Sequence, residues 1–121
     1  MDRLYYYRQC IQKLLIERSR GTVINAEIEI QRIFDPERDR YLVVYLGWDE
    51  HLRIYNSLMH LDIKDGQIWI QRNETDRPIA EELVEMGVPK EDIVIGVQPV
   101  DSRPYTGFGG AASTTPSDIL Q

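Results

Sequence analysis

Two runs of alternating apolar and polar residues, His60–Lys64 and Gln67–Gln71, are joined by Asp65-Gly66. No other feature constrains the fold so tightly. A type I′ hairpin turn requires positive φ at both central residues, which Asp-Gly tolerates well. That turn sets a register: Lys64 opposite Gln67, Ile63 opposite Ile68, Asp62 opposite Trp69, Leu61 opposite Ile70 and His60 opposite Gln71. Side chains alternate across a strand, so Leu61, Ile63, Ile68 and Ile70 share one face and form core. His60, Asp62, Trp69 and Gln71 share the other. A one-residue slip would push His60 and Asp62 into the core, so the hydrophobic pattern supports this pairing.

The flanking segments supply the remaining elements. Leu4, Tyr7, Ile11, Leu14 and Leu15 recur at helical spacing, which predicts an amphipathic helix over about residues 2–18 with Gly21 as its stop. Ile28 and Ile30 alternate with Glu27, Glu29 and Gln31 in a strand ending at Asp35. A polar loop with Pro36 follows. Tyr41–Trp48 is apolar on both faces and reads as a central strand. Asp49–His51 turns the chain into a long strand, Arg53–Lys64. Past Asn73, Thr75 or Asp76 is expected to cap a second helix with Pro78 in its first turn and Gly87 at its end. Pro89–Asp92 predicts one more helical turn before the short apolar segment 93–97. The expected fold is α+β: a single antiparallel sheet of four or more strands, with two or three helices segregated to one face.

With 121 residues, one domain is expected over residues 1–108. Residues 109–121, rich in Gly, Ala, Ser and Thr, read as a tail that is flexible or ordered by a partner. A single cysteine, Cys10, permits no intrachain disulfide, so a cytoplasmic location is expected. The net charge of −6 opposes approach to phosphate backbones. The charge is also uneven. Arg3, Arg8, Lys13, Arg18 and Arg20 concentrate in the first twenty residues, whereas Glu74, Asp76, Glu81, Glu82, Glu85, Glu91 and Asp92 crowd residues 73–92. Such runs are usually solvated helix faces, although the acidic one also suits a basic partner.

The polar hairpin face is the candidate surface. A tryptophan among polar groups on an open sheet face is enriched at protein interfaces. His60, Asp62, Trp69 and Gln71 are therefore taken as a partner-binding surface, with Tyr41 and Tyr45 as its extension. His60 and Asp62 lie two residues apart, a spacing that orients an imidazole, but structural hydrogen bonding explains the pair more simply. Asp62-Ile63-Lys64 matches the acidic-x-Lys fragment of metal-dependent nucleases, in which carboxylates hold Mg²⁺ and the lysine meets developing charge. That reading needs a further carboxylate, with Asp49 or Glu50 as candidates. A third reading is direct DNA contact through the basic first helix and Tyr5, Tyr6 and Tyr7. Gly107-Phe108-Gly109-Gly110 lacks the lysine of a phosphate loop. No cofactor, metal ligand set or catalytic residue is expected.

Five segments carry a more particular signature: Leu46-Gly47-Trp48, Arg53-Ile54-Tyr55, His60–Gly66, Ile68–Gln71 and Gly87–Val94, with Arg103, Thr106 and Phe108 closing it. From the first helix to Phe108 the chain resembles the XisI-like family, the fdxN-element excision controlling factors of cyanobacteria. It departs from the family pattern at Asn56, where glycine is usual, and at Val97-Gln98, often Phe-His. The resemblance implies a non-enzymatic controlling factor for excision of a DNA element during heterocyst development. Such a factor acts with an XisH-type protein and a site-specific recombinase. A homodimer is also expected.

Overall fold

Helix α1 (Arg3–Ser19) starts at Asp2, whose side chain accepts a hydrogen bond from the Leu4 N–H at 3.0 Å and so satisfies one of the unpaired first-turn donors. Tyr7, Cys10, Ile11, Leu14 and Leu15 form its buried stripe. Strands β1 (Ile28–Asp35), β2 (Arg40–Asp49), β3 (Leu52–Lys64) and β4 (Gln67–Asn73) follow, then helix α2 (Ile79–Glu85), a 3₁₀ turn at Lys90–Asp92 and strand β5 (Ile93–Ile95). The computed structural model describes residues 2–20, 27–97 and 107–108. The expected stop at Gly21, the closing Arg103 and Thr106 and the tail 109–121 lie outside those residues. No described helix is long and apolar enough to cross a membrane.

The five strands form one sheet in the order β1-β2-β3-β4-β5. The first four are antiparallel neighbours, and β5 pairs in parallel with β4. The sheet is therefore mostly antiparallel, as expected, with one parallel pairing at this edge. The crossover through α2 explains it, because a helix between two neighbouring strands returns the chain in the same direction.

Asp65 and Gly66 have φ of 53° and 77°, as the predicted turn requires. From that turn the pairing runs as expected through Leu61 opposite Ile70. It then shifts. His60 pairs with Arg72, not Gln71, because Gln71 is an extra residue bulging from β4. A second bulge interrupts β2 and β3: Val43 faces Met59 while Val44 faces Ser57, which leaves Leu58 as the extra residue.

Both helices pack on one face of the sheet. Ile11, Leu14 and Leu15 of α1 meet Ile79 and Leu83 of α2 over Tyr41, Val43, Met59, Leu61, Ile68 and Ile93. Each buried Leu or Ile contributes roughly 1.5–3 kcal/mol of transfer free energy. Leu61, Ile63, Ile68 and Ile70 are core, as predicted. The capping expectation for α2 is not met: Pro78 occupies the cap with no side-chain bond. Instead Asn73 accepts from the Thr75 N–H at 3.0 Å, and Thr75 accepts from the Arg77 N–H at 3.2 Å. These residues build the turn before the helix and delay its start.

Candidate functional site on the second sheet face

The face opposite the helices carries Asp35, Arg40, Asp62, Trp69 and Val94 in one cross-strand row. Ile33, Leu42 and His60 form the next. Asp62 is only 6% exposed. Burying a carboxylate requires partners for its oxygens. His60 Nε2 lies 3.0 Å from Asp62 Oδ1, and Gln71 Nε2 donates to Oδ2 at 3.3 Å. The bulge thus removes Gln71 from its place opposite His60 yet leaves its amide on the carboxylate. Gly96 keeps room for that side chain, since a Cβ there would stand 2.7 Å from Gln71 Oε1. Lys64 Nζ sits 4.4 Å from the centre of the Trp69 ring, within cation–π range.

Four of the six predicted surface residues are therefore gathered at one end of this face. Tyr41 and Tyr45 are not among them. Tyr41 is fully buried in the helix-covered core, and Tyr45 packs against that core. The bulge at Leu58 is the physical reason for Tyr41. At the hairpin end Asp49 pairs with Leu52, and a constant register from there would bring Tyr41 opposite His60. The extra residue moves it opposite Leu61. Its hydroxyl donates to Asp39 Oδ1 at 3.2 Å. Burial first, and the Asp39 carboxylate second, push its pKa up to about 12.

Leu42, Val44, Leu46 and Trp48 occupy the second face of β2 in place of the tyrosines. At the far end Trp48 pairs with Arg53 and Leu46 with Tyr55. Trp48 is 48% exposed and Tyr55 66%, and the Arg53 guanidinium lies 5.5 Å from the Trp48 ring centre. These exposed aromatics were not among the predicted surface residues. The signal for them is the two-residue loop Glu50-His51, which brings Trp48 opposite Arg53.

The structure bears unevenly on the chemistry considered from sequence. Asp49 stands nine residues along β2 from Arg40, the partner of Asp62, which is roughly 30 Å at strand rise. Neither Asp49 nor Glu50 joins Asp62, and among the described residues no group of three His, Cys, Asp or Glu side chains is placed to hold a metal ion. The arginines of α1 are engaged. Arg8 binds Asp39 through Nε at 2.8 Å and Nη2 at 3.3 Å. Arg18 binds both oxygens of Glu82, and Arg3 lies 4.0 Å from Asp92. A cleft of about 500 Å³ lies near the end of α1, lined by Glu17, Arg18, Leu58, Glu74 and Arg77 among others, away from the His60–Asp62 pair.

This geometry defines a class: a small two-layer α+β domain with two helices over one sheet face and a second face that mixes aliphatic, aromatic and polar side chains. The chain belongs to the XisI family, whose profile, described as XisI protein, matches residues 1–110. Its fold is similar to the crystal structure of a XisI-like protein from Anabaena variabilis, with 47% identity over 90% of this chain and 100% of that one, at a TM-score of 0.86. It is also similar to the fdxN element excision controlling factor XisI from Anabaena variabilis, with 30% identity over 88% of this chain and 97% of that one, at a TM-score of 0.80. Among curated proteins no match was found.

Proposed function

We propose that this chain is a cytoplasmic, non-enzymatic controlling factor for excision of a DNA element, and that it works through protein–protein contacts. The observation that carries this reading is its similarity, across nearly the whole length of both chains, to a protein described as an fdxN element excision controlling factor. The partner is a protein of the XisH type, through which the chain influences a site-specific recombinase. The surface assigned to that contact is the end of the second sheet face around His60, Trp69 and Lys64. The engaged state of Arg8 and Arg18 supports a role mediated by protein over direct DNA contact through α1.

Co-purification of the full chain with an XisH-type protein from the same genome tests the proposal. A stable complex is expected, weakened about tenfold or more by Trp69→Ala, since truncating a central aromatic removes well over 1 kcal/mol of binding. Absence of a complex, or excision in cells that proceeds equally without this chain, would overturn it. Mg²⁺-dependent DNA cleavage abolished by Asp62→Ala would replace it with a nuclease reading.

A further inference from the structure

The far end of the second sheet face has no role in the function proposed above, and its residues are arranged in a particular order. Glu29 on β1 pairs with Leu46 on β2, which pairs with Tyr55 on β3. In the next row the Trp48 N–H donates to the Glu27 carbonyl at 3.3 Å, and Trp48 pairs with Arg53. Carboxylates thus line the β1 side, a guanidinium lines the β3 side, and Leu46 and Trp48 lie between them. Trp48 is about half exposed and Tyr55 about two thirds. Large aromatics left in water beside an arginine are the residue types that anchor protein interfaces. The stacking of Arg53 over Trp48 holds the cation in place before any partner arrives, which lowers the ordering entropy of binding.

We infer that Leu46, Trp48, Arg53 and Tyr55, edged by Glu27 and Glu29, form a face-to-face interface with a second copy of this chain. The order of charges selects the copy as occupant and also selects the axis. A two-fold axis lying between the sheets and running along β2 places β3 of one copy over β1 of the other. Each Arg53 then falls on the Glu27 and Glu29 edge of its partner, and the Leu46 and Trp48 side chains meet at the axis. An axis across the strands would set β1 over β1, carboxylate against carboxylate, which is repulsive. The surface is therefore complementary to itself in one orientation, as a closed two-fold interface requires.

Sedimentation equilibrium of the full chain over a range of concentrations and salt tests this inference. The expected species is a dimer with twice the chain mass. Glu27→Arg alone or Arg53→Glu alone should raise the dimer dissociation constant by about tenfold or more at low salt. The two together should restore it, because the swapped charges again face each other. Trp48→Ser should give monomer while Trp69→Ala leaves the dimer intact, which separates this surface from the partner surface above. Melting temperatures within a few degrees of the parent establish that the variants fold. If Trp48→Ser does not fold, the charge swap decides alone. A monomeric parent chain, single charge variants that dimerise unchanged, or a double swap that fails to restore the dimer would each overturn the inference.

Discussion

Arg18 and Glu82 join the two helices through a bidentate ion pair, with Arg18 Nε donating to Glu82 Oε1 at 3.0 Å and Nη2 donating to Oε2. With Arg3 beside Asp92, this contact ties the basic first segment to the acidic segment 73–92 within one chain. The charge imbalance that suggested a basic partner is thus partly an internal match. The Arg18 and Glu82 side chains are only 28% and 15% exposed, against 46% and 48% for the Arg72–Glu74 pair. A double-mutant cycle on Arg18→Met and Glu82→Gln, followed by urea unfolding, should give a coupling of about 1–2 kcal/mol. The same cycle at Arg72 and Glu74 should give under about 0.5 kcal/mol.

Asp62 is predicted to act in folding before it acts in anything else. Asp62→Ala strips His60 and Gln71 of a common partner, and should lower the unfolding free energy by about 1–3 kcal/mol. Lys64→Ala, at an exposed position whose contact is a single ring face, should change it by less than about 1 kcal/mol. Equal and negligible effects in chemical denaturation would refute the structural assignment of the buried carboxylate.

Gly47 pairs with Ile28 on β1 and lies against the Glu27 backbone. Its φ is 153°, and a Cβ would lie 1.9 Å from the Glu27 carbonyl oxygen. The obstruction is backbone, which does not rotate away. Gly47→Ala should therefore destabilise the fold by about 2 kcal/mol or more, or separate β1 locally from β2. Thermal unfolding together with amide exchange in β1 distinguishes those two outcomes.

Tyr41 predicts a defined alkaline limit. Its folded pKa of about 12 exceeds the ordinary value of 10, so the folded state holds the phenolic proton more tightly than the unfolded chain. The associated stability is fully present below pH 10 and is lost as pH rises through about 12, amounting to roughly 2–3 kcal/mol. Tyr7 is shifted in the same direction by burial and by its bond to Asp92, and adds to the loss. Tyr41→Phe should flatten its share of the decline in urea midpoint across that range, and an unchanged slope would count against the assignment.

How far the sequence could be read depended on the chemistry of each turn. Asp65-Gly66 carries the residues that a type I′ turn demands, so the β3–β4 pairing was legible as far as Leu61 and with it the inward set Leu61, Ile63, Ile68 and Ile70. Glu50-His51 also makes a two-residue loop, with Glu50 at a φ of 56°, but neither residue announces positive φ. The β2–β3 register was for that reason open, and both faces of β2 are apolar, so alternation offered no help.

By itself the sequence determined the helix and strand segments, the core face of the hairpin, the grouping of His60 with Asp62 and Trp69, and the family. These follow from periodicity and local turn chemistry, which act over a few residues. The tertiary structure alone decided that Tyr41 is core, that Trp48 and Tyr55 are surface, that β5 runs parallel to β4, and that the arginines of α1 are engaged. Each of those depends on an inserted residue or on a contact between distant segments. A bulge at Leu58 changes strand parity without leaving any mark on the local alternation, and an ion pair across 64 residues has no local signature at all.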